Sequence, residues 1–216
     1  RQWQKPLLTL LAAVPLMVIN AGETVIGIPF LGALDVGLLY PLVLIPIGVI
    51  GASNMVNMFA GYNGLETGLG LIYLGNLSVY AYVHGSEVVA LIGLITCAAL
   101  VAFLFFTWVP ARIFPGDSLT YLLGAVLASM AIIGNIEMAA LVVSIPFFIE
   151  FLLKARGRFK KQGYGMYYKG GKIKSLHDKI YSIPHFFTID GKYTEKQVVL
   201  FCFFIQALFS GLIWLM

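Results

Sequence analysis

Apolar residues in this chain come in blocks of about twenty, the length that crosses a hydrocarbon slab roughly 30 Å thick. Polar residues are gathered into the short stretches between blocks. This pattern predicts seven membrane-spanning helices, over roughly 6–22, 37–58, 65–82, 88–107, 119–133, 138–154 and 197–216. The stretch 23–36, marked by Gly27 and Pro29, is too short and too turn-rich for a span and is expected to form a small outer hairpin. Only 155–196 is polar over a sizeable length. Within it, Lys169-Gly170-Gly171-Lys172 and Asp190-Gly191 are hairpin-type turn signals. The expected fold is an all-α integral membrane protein. Residues 1–154 hold helices and site-bearing loops, 155–196 form a cytosolic loop with short hairpins, and 197–216 form the last span.

Charge gives this picture a direction. Arg1 and Lys5 precede the first predicted span and Arg112 lies between the fourth and fifth. The other Lys and Arg residues, from Lys154 to Lys196, lie between the sixth and seventh or at their edges, so all 14 fall on one face. The opposite connections, 23–36, 83–87 and 134–137, carry none. The positive-inside rule makes the basic face cytosolic. Composition agrees: 60% of residues are hydrophobic and only 11% charged, against about a quarter in an ordinary soluble domain. Mean hydropathy is +0.91. The net charge of +4 then reflects orientation, and no nucleic-acid partner is expected. Cys97 and Cys202 lie inside apolar blocks and read as packing residues. The chain opens Arg1-Gln2-Trp3 with no initiator Met and no signal-peptide layout, which suggests a piece of a longer protein.

Three cytosolic segments hold the suggestive chemistry. The first contains Asn54, Asn57, Asn63 and Glu66. Asn54 and Asn57 share a helix face by their spacing. Asn63-Gly64 read alone is a common turn, and Asn57 alone could bridge helices. Four polar side chains in otherwise oily sequence nonetheless favour a site, because each costs about 1–3 kcal/mol to desolvate unpaired. The second segment, Arg112-Ile113-Phe114-Pro115-Gly116-Asp117-Ser118, opens a helix. Asp117 or Ser118 could be an N-cap, or the carboxylate could hold a hard cation beside a backbone that Pro-Gly lets approach a ligand. The third is Lys154-Ala155-Arg156-Gly157-Arg158-Phe159-Lys160-Lys161, either a topology-setting charge cluster or a phosphate clamp. Glu150, inside a span, is expected to pair with Lys154 at i,i+4 rather than relay protons. No role is assigned to His84, His177 or His185.

The turn Asn57…Asn63-Gly64-Leu65-Glu66-Thr67-Gly68, then Phe114-x-Gly116-Asp117, then the basic loop, resemble the polyprenyl-phosphate N-acetylhexosamine-1-phosphate transferases. The dolichyl-phosphate N-acetylglucosamine-1-phosphate branch of archaea and eukaryotes is the nearest in pattern. The histidine-rich loop of the bacterial relatives is absent, and Arg156-Gly157-Arg158 stands where the branch usually has Arg-His-Arg. The resemblance implies a ten-helix enzyme of which this chain supplies helices four to ten. An aspartate pair and three earlier helices would be missing, so the chain alone is expected to be inactive. By the same resemblance Asn63 and Asp117 would ligate Mg²⁺, and Lys5 would lie near the phosphates. Phe114 would stack near the uracil, while Arg156 and Arg158 would grip the pyrophosphate. Asn57 and Glu66 would complete the substrate site. The implied partners are a UDP-sugar, with UDP-N-acetylglucosamine foremost, and a polyprenyl phosphate lipid, with a homodimer plausible in the family. The implied product is a lipid-linked sugar diphosphate for glycosylation, with UMP released. The site would face the cytosol, in an archaeal plasma membrane in preference to endoplasmic reticulum. The competing readings are a transporter, which would place polar residues at mid-membrane, and a non-catalytic membrane scaffold.

Overall fold

The computed structural model describes residues 4–28 and 32–216, with backbone alone at 4–7, 26–28, 32 and 33. Each predicted apolar block coincides with helix. These are α1 (Gln4–Val18), α2 (Ile45–Met58), α3 (Leu65–Val83), α4 (Glu87–Thr107), α5 (Gly116–Gly134), the pair α6 (Glu137–Val143) and α7 (Ile145–Arg156), and α9 (Glu195–Gly211). A π-helical turn, Tyr40–Leu44, precedes α2. Pro46 has no N–H to return to Leu42, so the first turn widens. Among the described residues, four helical stretches, Tyr40–Met58, α4, α5 and Glu195–Leu215, are long and apolar enough to cross a membrane, and the bent α6–α7 pair makes a fifth where it is counted as one span. α3 is more polar because it is central: it packs along α4 and α9, and neighbours rather than lipid cover it.

The predicted outer hairpin is present as β1 (Val25–Ile28) and β2 (Gly32–Asp35), antiparallel, with Val25 opposite Asp35. The predicted turn at Lys169–Gly171 joins β3 (Gly165–Tyr168) to β4 (Lys172–Ser175). Gly170 and Gly171 both have positive φ there, which suits glycine. Asp190-Gly191 instead follows a short helix α8 (His185–Thr188). It turns the chain back so that Ile173 N–H donates to Tyr193 C=O at 2.8 Å, beside a bridge between Lys172 and Thr194. It therefore closes the loop segment onto β4 without forming a hairpin of its own. Thr194 then starts α9 through a capping box with Gln197.

Two contacts govern the helix arrangement. α2 and α5 approach so closely that a Cβ on Gly124 would sit 2.4 Å from Ser53 Cα and 2.6 Å from Ala52 O. Such small-residue contacts let helix backbones meet where lipid offers no hydrophobic drive. α6 and α7 meet at Ser144 with a 55° bend. Pro146 cannot donate to the preceding turn, Phe147 N–H turns to Ser144 O at 2.9 Å, and the Val143 carbonyl that Phe147 would otherwise serve accepts from buried Gln206 Nε2 of α9 at 2.8 Å. This mid-membrane polar group thus patches a break.

The 155–196 segment is moored to α7 by Glu150, which is fully buried. Its carboxylate accepts from Ser182 Oγ at 2.6 Å and Ile183 N–H at 2.7 Å, and lies 3.6 Å from Lys154 Nζ. The pairing expected from the i,i+4 spacing is present, with two loop donors added. Beside it, His185 Nδ1 accepts the Tyr181 N–H at 3.1 Å. Burial, and then the nearby Lys154 ammonium, push His185 below the ordinary histidine range; burial does the same for His177.

Two outcomes are expected. Gly124→Val should lower unfolding free energy by roughly 1–3 kcal/mol, because backbone must shift. Gly75→Ala, whose added Cβ meets only Cys97 Sγ at 3.9 Å, should leave it nearly unchanged. Thermal unfolding in detergent reads both. For His185, the unfolded chain takes a proton before the folded one does. Its stabilisation is therefore intact above about pH 6.5 and lost as pH falls below it. The unfolding midpoint should drop from about pH 7.5 to about pH 5.5, and drop less in His185→Gln. An equal drop in both proteins would contradict this.

Candidate active site

The ends of α2 and α7 and the starts of α3 and α5 surround a cavity of about 510 Å³. α2 contributes Asn54, Asn57 and Met58, and the turn after it Ala60 and Gly61. α3 contributes Glu66, and the α5 side contributes Phe114, Gly116, Asp117, Thr120 and Tyr121. Lys154 of α7 and the run Phe159, Lys161–Tyr164 close the remaining wall. Each of these helix termini lies on the basic face of the molecule.

Asn57 joins the two principal helices. Its Nδ2 donates to Asp117 Oδ1 at 3.0 Å and to Thr120 Oγ1 at 2.8 Å, while Thr120 Oγ1 donates to the Asp117 carbonyl at 3.1 Å. Asp117 sits inside the first turn of α5, where the helix dipole favours a carboxylate. The N-cap position is Pro115, so neither Asp117 nor Ser118 is the cap. Asn54 Nδ2 turns back to Ile50 O at 2.7 Å. Glu66 is 3% exposed; its Oε1 accepts the Gly61 N–H at 2.8 Å and its Oε2 is buried without a hydrogen-bond partner.

Of the residues expected in the site, Asn57, Glu66, Phe114 and Asp117 meet in this cavity. Asn63 does not line it. Its N–H donates to Glu195 Oε1 at 2.9 Å and its Nδ2 to Glu195 Oε2 at 3.3 Å, and the same Oε2 accepts the Tyr167 hydroxyl at 2.6 Å. That carboxylate raises the titration of the Tyr167 phenol. Arg156 and Arg158 are exposed and lie outside the lining. Lys5 is in the first turn of α1, and its side chain lies outside the described residues.

Several contributors were not singled out in the sequence. Thr120 and Tyr121 follow Asp117 by one turn, a spacing that could have found them. Phe159 reaches the wall because Arg158 and Phe159 both hold positive φ, at 53° and 56°. Glu195 has no local signal, since its partners lie 132 and 28 positions away. The Tyr62 hydroxyl donates to the Gly163 carbonyl at 3.2 Å, tying the α2–α3 turn to the loop wall.

The side chains lining the cavity are oxygen-rich: the Asp117 carboxylate, the Asn57 amide, the Thr120 hydroxyl and the Glu66 carboxylate, whose Oε2 is buried. Among the described residues, no group of three or more His, Cys, Asp and Glu side chains could hold a metal. This set suits a hard cation that takes one or two carboxylates from protein and completes its shell with ligand phosphates and water. It does not suit a thiolate or imidazole metal.

The glycosyl transferase family 4 profile matches residues 1–135. A Saccharolobus solfataricus protein is 35% identical over 97% of this chain. It carries the provisional name UDP-N-acetylglucosamine–dolichyl-phosphate N-acetylglucosaminephosphotransferase. A Sulfolobus acidocaldarius protein with the same provisional name is 34% identical over 97% of the chain. The chain spans 66% and 64% of the lengths of these two relatives. A phospho-N-acetylmuramoyl-pentapeptide-transferase of Shouchella clausii is 38% identical over 55% of the chain and 36% of its own length. With its helical membrane architecture, its polar cavity at one end and a profile match over most of its length, the chain belongs to glycosyl transferase family 4.

Proposed function

We propose that the protein transfers a sugar phosphate, N-acetylglucosamine-1-phosphate foremost, from its UDP-sugar to a polyprenyl phosphate of dolichyl type. The reaction would run on the cytosolic face. The observation that carries this reading is the Asn57–Asp117 contact, which puts an oxygen donor set on the wall of a polar cavity at the membrane edge. The relatives' names supply the donor and acceptor chemistry.

In this reading, an oxygen of the lipid phosphate attacks the β-phosphorus of the UDP-sugar. The bond from that phosphorus to the bridging oxygen breaks, and UMP leaves with the electron pair. The lipid phosphate is already anionic, so positioning and charge stabilisation can supply most of the acceleration. Mg²⁺, when bound, would neutralise diphosphate charge and orient the phosphates. Asp117 and Asn57, supported by Thr120, are the residues we assign to hold it. Phe114 offers a ring for the uracil. Glu66 steadies the Gly61 turn at the cavity wall through its Oε1. Asn63 acts from behind the cavity, holding the turn through Glu195.

A second, apolar cavity of about 520 Å³ runs along the other side of α2, lined by residues such as Ile45, Gly48, Met55, Leu127, Leu141 and Phe148. It extends from Tyr40 to Met55, roughly 20 Å of helix, and Met55 is the direct neighbour of Asn54 in the wall of the polar cavity. We assign it to the polyprenyl chain of the acceptor.

The test uses protein expressed from its complete gene, with UDP-N-acetylglucosamine, Mg²⁺ and a polyprenyl phosphate, following UMP. Asp117→Ala and Asn57→Ala should each reduce Mg²⁺-dependent release by at least about 100-fold. Asn63→Ala should fall by less. Wild-type protein that releases no UMP from any UDP-sugar would sink the reading.

A further inference from the structure

The cavity faces a cation that the basic-loop arginines do not supply. Lys154, in the last turn of α7, lines it while the residue is only 9% exposed. An ammonium group has three N–H donors. One reaches the Lys161 carbonyl at 3.3 Å. The nearest carboxylate oxygen, Glu150 Oε1, is 3.6 Å away, too far for a hydrogen bond, and that carboxylate is already engaged by Ser182 and Ile183. Lys154 is therefore held electrostatically by Glu150 while keeping donor capacity. Gly163 makes room for it: a Cβ there would come 2.9 Å from Lys154 Nζ and 2.7 Å from Ser182 Oγ. A buried, under-coordinated ammonium on a ligand cavity calls for an anion.

We infer that Lys154 binds the diphosphate of the nucleotide donor at its second phosphate, with Glu150 as the residue that positions it. This rests on the transferase reading above. A nucleoside stacked on Phe114 would place its first phosphate near Asp117, three residues along the chain. The second phosphate would then extend across the cavity to the α7 wall. There Lys154 meets the charge that grows on the diphosphate as the bridging bond breaks.

The test measures UDP and UMP binding by calorimetry in Mg²⁺, on protein from the complete gene in lipid nanodiscs. Lys154→Met should weaken UDP by at least about tenfold and leave UMP within about twofold. Lys154→Arg, which keeps the charge, should restore most of the UDP preference. A purely structural lysine would weaken both ligands alike. If Lys154→Met does not fold, Glu150→Gln/Lys154→Met, which leaves no unpaired buried charge, carries the same comparison. An unchanged UDP-to-UMP ratio would overturn the inference and leave the transferase reading standing. Wild-type protein that binds neither nucleotide would remove both.

Discussion

The close approach of α2 and α5 is the constraint on which the site depends. Gly124 has no side chain, and Ser53 and Ala52 fill the space a Cβ would need. One turn beyond Ser53, Asn57 can then span the gap between the helices and reach both Asp117 and Thr120. A larger residue at 124 would separate the helices by more than an amide can bridge. The polar cavity would lose the corner that defines it. Packing in the membrane and chemistry at its edge are in this sense one structure.

Buried carboxylates order the loops around that corner. Glu66 holds the Gly61 N–H, Glu195 holds Asn63 and Tyr167, and Glu150 holds Ser182 and Ile183. Each is mostly removed from water and each accepts backbone N–H donors of a connecting segment, which offsets the desolvation of a charged group. The result is a cavity whose walls come from elements distant in sequence but fixed to the helix ends. Mid-helix polarity among the described residues is, by contrast, largely structural: Ser78, Thr96 and Ser129 each donate to a carbonyl one turn back. Gln206 serves the Val143 carbonyl, and the apolar trough beside α2 carries little beyond the Tyr40–Glu137 hydrogen bond. A transport pathway would call for more.

The helical segments, both hairpins and the Glu150–Lys154 pair were legible in the sequence because block length, Gly-rich turns and i,i+4 spacing are local properties. The partner of Asp117 was less so. Asn57 and Asn63 are six residues apart and chemically alike, and which one faces α5 depends on where α2 ends. The helix stops at Met58, and positive φ at Gly61 and Gly64 swings Asn63 toward Glu195. Neither the stop nor Glu195, at the start of the last helix, can be inferred from the turn itself. Similarly, Arg156, Arg158 and Lys154 share one basic cluster. Only the 55° bend and the mooring of 182–183 on Glu150 decide that Lys154 faces inward while the arginines stay exposed.

The central claim is that α2 and α5 together build the phosphate-handling corner through Asn57 and Asp117. The most direct measurement is an anomalous-scattering map of the protein with Mn²⁺ and UDP. The account predicts one peak about 2.0–2.3 Å from an Asp117 carboxylate oxygen, with Asn57 and a diphosphate oxygen in its shell. A peak between Asn63 and Glu195, or bound UDP with no cation beside Asp117, would contradict it.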